Sequence, residues 1–141
     1  QFEKRGLLHC QIELPGGQPA HCVCVHLSLF GYSRRRQMMA LADYLDRMAD
    51  ITAPLIIAGD FNDWNNRASH HLAQQLGLTE VFSGRNGAPC RSFPAALPMF
   101  RLDRIYVRGF KVHHTEVHHG YPWSAISDHA ALSAHLARHG R

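Results

Sequence analysis

The sequence predicts an α/β fold, a mixed and mostly antiparallel sheet with flanking helices, and three observations carry that prediction. Residues 8–14 alternate, with Leu8, Cys10, Ile12 and Leu14 against His9, Gln11 and Glu13, the period of a strand with one buried face. Met38, Leu41, Ala42, Leu45, Met48 and Ala49 recur at three- and four-residue spacing, the period of a helix that lays one stripe on a core. Leu55-Ile56-Ile57-Ala58 is a short apolar run that stops at Gly59, as a strand buried on both faces does.

Composition bounds the rest. A chain of 141 residues with 45% apolar and 18% charged side chains can bury a real core, which excludes disordered and fibrous classes. The formal charge of +4, with twelve histidines uncounted, favours an anionic partner but is too small to identify nucleic acid. No apolar run approaches the ~20 residues of a membrane-spanning helix. Cys10, Cys22, Cys24 and Cys90 form no C-x-x-C pair, and are expected to be buried thiols of a reducing compartment, hence a cytoplasmic protein. Gln1 runs within a few residues into the first strand with no initiator Met, so residues preceding it are expected.

Taken in order, Pro15-Gly16-Gly17-Gln18 turns the first strand into a second, residues 19–29, making a hairpin. Val23, Val25 and Leu27 share one face of that strand, and Cys22, Cys24 and His26 the other. Ser33 is expected to cap the helix that follows. Arg34-Arg35-Arg36 falls in its first turn, against the helix dipole, and reads either as a solvated face or as a neighbour of an anion site. After the strand at 55–58, residues 69–76 read as a helix stopped by Gly77, and residues 83–89 as a surface loop. Residues 91–93 suit a short strand, and 94–98 are irregular. Strands are expected at 102–108, 111–117 and 130–136, giving the order β-β-α-β-α-β-β-β in one unit spanning 1–141.

The chemistry-bearing residues collect at strand ends. Asp60 and Asn62, two apart, share a side at the mouth of the central strand while Phe61 turns into the core. Asp103 shares a face with Ile105 and Val107, and a carboxylate there costs several kcal/mol unless it is paired. Its expected partner is His129, whose tautomer it would fix and whose protonated form it would favour. Asp60, Asn62 and Asp128 are hard oxygen donors suited to Mg²⁺ or Mn²⁺ rather than Zn²⁺. With His26 as a second imidazole, the set suits hydrolysis of a phosphate ester. The pairs His70-His71, His113-His114 and His118-His119 are poor zinc candidates, because neighbours on a strand face opposite ways and no H-x₃-H spacing occurs. No G-x-S-x-G, Walker A or G-x-G-x-x-G motif is present.

Gly59-Asp60-Phe61-Asn62, Leu102-Asp103-Arg104-Ile105 and Ser127-Asp128-His129, in that order, resemble the endonuclease/exonuclease/phosphatase superfamily, the DNase I-like fold. His26 in Val25-His26-Leu27-Ser28 is similar to that family's upstream histidine, although the family usually has Thr where Val25 stands. Phe93-Pro94 and Ser33-Arg34-Arg35-Arg36-Gln37 resemble a bacterial subgroup. The resemblance implies the C-terminal portion of a four-layered α/β sandwich and a divalent-metal-dependent phosphoesterase, a nuclease or a lipid- or inositol-type phosphatase. It implies that Asp60 and Asn62 orient water and phosphate and share the metal with Asp128. It further implies that His129 contacts the scissile phosphate or acts as acid/base, that Asp103 orients His129, and that His26 stabilises the transition state. The family's N-terminal asparagine and metal-binding glutamate have no counterpart, since Glu3 and Glu13 lie in the wrong context. The alternative is therefore a truncated, inactive unit that only binds phosphate or a partner. The expected substrates are phosphate esters, nucleic acid and phospholipid among them, and an uncovered sheet face is expected to drive self-association.

Overall fold

A computed structural model describes residues 5–50 and 52–139, and Glu3 lies outside the described residues. Strands β1 (Gly6–Ile12), β2 (Ala20–His26), β3 (Leu55–Asp60), β4 (Thr79–Glu80) and β5 (Asp103–Arg108) form one sheet in the order β1-β2-β3-β5-β4. The β1–β2 hairpin is antiparallel, β2 and β3 are parallel, and β5 runs antiparallel to both β3 and β4. The parallel pair needs a long crossover, which α1 (Gly31–Met48) supplies. Helix α2 (Arg67–Leu76) follows β3 and ends at Gly77 in the left-handed conformation. A short helix, α3 (Ser83–Asn86), follows β4, and β6 (Phe110–His118) and β7 (Ala131–Arg138) form a separate antiparallel ribbon.

Each face of the five-stranded sheet has its own packing. Val23, Val25, Leu55, Ile57 and Tyr106 point to one side, where Met38, Leu41 and Leu45 of α1 and Leu72 and Leu76 of α2 cover them. On the other side Ile56, Ile105 and Val107 pack against Val112, Val117, Leu132 and Leu136 of the ribbon. The ribbon stops short of β1. Leu8 and Ile12 are therefore 70% and 46% exposed, although their alternation predicts a buried face. Alternation fixes which residues share a face, not whether anything covers it.

The same gap corrects the expectation of four buried thiols. Cys10 and Cys24 are exposed, and Cys22 and Cys90 are partly buried. Ser33 does not cap α1, which starts two residues earlier at Gly31 with Phe30 in the capping position. The preceding turn is held instead by Ser28, whose Oγ accepts from Phe30 N at 3.2 Å and whose N–H donates to Gln37 Oε1 at 2.8 Å. Residues 83–89 are not all loop, because α3 occupies their first half. Among the described residues, no helix is long and apolar enough to cross a membrane.

Candidate active site

The site is assembled where β2 and β3 end and β5 begins. Register places His26 beside Asp60, and Asp60 opposite Asp103. All three project on the face carrying Ile56 and Ile105, beyond the edge of the ribbon's cover. Gly59 is required just before. Its φ is +140°, and an added Cβ would fall on the Val25 carbonyl oxygen. Asn62 follows in the left-handed region at φ 46° and is 3% exposed. Its Nδ2 donates to Leu27 O at 2.8 Å, and its backbone N–H donates to Asp60 Oδ1 at 2.9 Å, so the Asp60 carboxylate is fixed from its own loop.

His129 arrives from the loop between β6 and β7. That loop is tied down by Ala95 N–H to Asp128 O at 2.7 Å and Ala130 N–H to Ser92 O at 2.7 Å. His129 Nδ1 bonds Asp103 Oδ2 at 2.6 Å, and Nε2 is left facing Asp60 Oδ2 at 3.9 Å. His26 Nε2 lies 3.7 Å from the same oxygen. Two imidazole nitrogens from distant parts of the chain therefore flank one carboxylate oxygen.

Electrostatics follow from this packing. Burial raises the Asp60 pKa above its ordinary value; the Asn62 N–H opposes the rise, the Asp103 charge adds to it, and His129 and His26 oppose it. Burial lowers the His129 pKa, but the Asp103 hydrogen bond and the charges of Asp103, Asp60 and Asp128 outweigh it, leaving the imidazole above its usual value. Ligand atoms of Asp60, Asp103 and His129 lie within 4.8 Å of one another. Two facing carboxylates, one of them pushed up by burial and by its neighbour, fit a bound cation that would relieve both effects. Asp128 is exposed on the loop surface, beside His129 but outside that cluster.

Two residues escaped the sequence reading. Ser92, fully buried, donates from Oγ to Asp103 Oδ2 at 2.6 Å and accepts from Asp103 N at 3.1 Å, so it sets the carboxylate that sets His129. Arg104, 1% exposed on the opposite face, donates from Nη2 to Asp63 O at 2.9 Å and to Arg101 O at 3.0 Å. It thereby clamps the loop after Asp60 to the loop before Asp103. Arg34, from the triple-arginine run, is also internal: it bonds Ser28 O and Leu29 O and lies 3.8 Å from Asp63 Oδ1. Arg35 and Arg36 remain exposed.

This α/β fold, which here carries an aspartate–histidine pair facing a second aspartate and histidine, has counterparts among known proteins. The sequence pattern of the Endonuclease/Exonuclease/phosphatase family matches residues 4–129, and the chain belongs to that family. It is 42% identical over 135 residues to the uncharacterized protein YbhP of Escherichia coli K12, covering 95% of this chain and 53% of that protein. It is 33% identical over 132 residues to a UPF0294 protein of Vibrio cholerae, covering 91% of this chain and 43% of that one. The chain thus spans about half the length of the curated relatives it matches. Its fold is similar to the human Nocturnin catalytic domain solved with a sulfate anion, with TM-score 0.77, 19% identity, and 96% and 53% of the two chains covered. A functionally unknown Enterococcus faecalis protein gives TM-score 0.76 at 24% identity, covering 94% and 56%.

Proposed function

We propose that the chain carries the phosphate-binding and proton-handling part of a Mg²⁺- or Mn²⁺-dependent phosphoesterase. The observation that supports this most is the convergence of His26 Nε2 and His129 Nε2 on Asp60 Oδ2, at 3.7 and 3.9 Å, with His129 held by Asp103. Asp60 and the facing Asp103 would hold the cation, with the exposed Asp128 at the rim of that cluster, and the cation would supply charge to a phosphoryl oxygen and to a water. Asp60 orients the attacking water, and Asn62 fixes Asp60 through its N–H. His129, kept in one tautomer and above its ordinary pKa, donates to a non-bridging oxygen or to the leaving group. His26, half-exposed, accepts from the Arg5 guanidinium, and the two side chains would face the developing phosphoryl charge from the other side.

The test is hydrolysis of bis-p-nitrophenyl phosphate and nicking of plasmid DNA with Mg²⁺ or Mn²⁺ and with chelator. Metal-dependent turnover supports the reading; turnover that persists in chelator overturns the metal requirement. A second reading rests on the chain's covering only 53% of YbhP: the chain is a folded unit that binds phosphate or a partner without turnover. Inactivity here together with activity of a longer version supports that reading. The open sheet face at Leu8, Cys10 and Ile12 would then pair with a second copy, and light scattering showing only monomer counts against this.

A further inference from the structure

The exposed apolar side chains are distributed very unevenly. Ten of the fifteen large ones among the described residues lie on four segments that leave the same end of the sheet as the candidate site. These are the start of α1 with the residues before it, the loop after β3, the loop before β5 and the loop between β6 and β7. The most exposed on these segments are Tyr121 at 88%, Ile126 at 76%, Tyr32 at 75%, Phe30 at 73% and Leu97 at 70%. Both tryptophans of the chain, Trp64 and Trp123, stand on this rim.

Packing shows that the four segments are neighbours. Trp64 meets Phe100 with ring centroids 4.9 Å apart, and Phe93 meets both Phe100 and His129. Asn62 joins the first two segments through Leu27 O, and Ala95 joins the last two through Asp128 O and Gly120 N. Charge on the rim is also one-sided. Residues 27–36, 61–67, 91–102 and 119–129 contain six arginines and two aspartates, and one of those, Asp63, is buried. Arg35, Arg36, Arg67, Arg91 and Arg101 are exposed there.

We propose that this rim docks onto an anionic lipid surface, with the site facing the headgroups. Exposed aliphatic tips such as Leu97 and Ile126 offer nothing to stack on a nucleobase, but they partition into an acyl boundary. Tryptophan and tyrosine suit the headgroup level, and arginine suits anionic phosphates. Docking itself requires no turnover. Its consequence, that the ester is carried by a lipid headgroup, rests on the phosphoesterase reading.

The test is vesicle binding by the chain, in chelator so that hydrolysis plays no part. The probes are phosphatidylcholine vesicles with and without phosphatidylglycerol. Co-sedimentation with the anionic vesicles and a blue shift of tryptophan emission, quenched by brominated acyl chains, are expected, with weak binding to phosphatidylcholine alone. Ile126→Asp and Leu97→Asp should each lower partitioning by about tenfold. Met48→Asp, at the far end of α1 and 50% exposed, should leave it unchanged. No emission shift on anionic vesicles overturns the proposal without any variant. So does equal binding by the rim variants, or a single-stranded oligonucleotide that displaces the vesicles and produces the same emission shift. Vesicle binding with no esterase activity under any metal, in this chain and in a longer version, keeps the docking and rejects the phosphoesterase reading.

Discussion

Replacing Asp103 by Asn keeps the shape of the site and removes one charge. In the native arrangement Asp103 Oδ2 accepts from both Ser92 Oγ and His129 Nδ1, each at 2.6 Å, in surroundings where the two site side chains are 16% and 25% exposed. An amide oxygen can accept both bonds, so the geometry survives. A hydrogen bond to a charged group contributes about 1.5–3 kcal/mol and a neutral one about 0.5–1.5. The Asn variant should therefore lose about 1–1.5 kcal/mol of stabilisation of protonated His129, roughly a tenfold loss in kcat at about 1.4 kcal/mol per decade. Asp103→Ala also leaves the buried Ser92 hydroxyl proton without its acceptor and should lose about a hundredfold or more. Two assays read this: kcat and KM on bis-p-nitrophenyl phosphate, and NMR titration of the His129 ring. The ring midpoint should fall in Asp103→Asn, because its largest raising influence is that bond. His129 is raised above 6.5 in the folded chain, so the pair's contribution is full below about 6.5 and is lost as pH rises through the His129 midpoint. The stability gap between wild type and Asp103→Asn should narrow with rising pH. An unchanged His129 midpoint in Asp103→Asn refutes the orienting role.

Other outcomes are also expected. Gly59→Ala should destabilise the chain by more than about 2 kcal/mol in thermal melts, since φ +140° and the Val25 carbonyl leave no room for a methyl group. Arg104→Ala removes the Nη2 that donates to both Asp63 O and Arg101 O and so unties the two site loops, and kcat should fall more than KM changes. His21, 6% exposed and bonded to His9 at 2.9 Å, has its pKa lowered by burial and by the neighbouring His9 and Arg108. Its contribution to stability is therefore present above 6.5 and lost on acidification, and urea midpoints should drop below about pH 6.5 less steeply in His21→Gln than in wild type.

Much of the site was legible because register does the assembling. Asp60 at the end of an apolar run and Asp103 on an apolar face are both visible as polar residues in places that need partners, and strand pairing sets them opposite each other. Ser92 was not legible. It sits in a stretch without periodicity, joined to the site only by a hydrogen bond across eleven residues. Arg104 lay in plain view on the face with Leu102 and Tyr106, but nothing local says that its guanidinium reaches two loop carbonyls. In β6, the register shift between Val112 and His114 breaks the simple alternation that a plain strand at 111–117 implies. β4 has two residues, too few to show a period. The exposure of Leu8 and Cys24 depends on what lies over the sheet, which no local pattern records.

If phosphate hydrolysis is organised around Asp60, Asp60→Asn is the substitution that shows it with the least disturbance. The amide fills the same volume and can still accept the Asn62 N–H, but it removes the charge that His26 and His129 face. In this variant kcat on bis-p-nitrophenyl phosphate in Mn²⁺ should fall by about a hundredfold or more, with melting temperature held or raised because a partly buried charge is gone. Metal-dependent hydrolysis at the wild-type rate in Asp60→Asn would contradict that organising role.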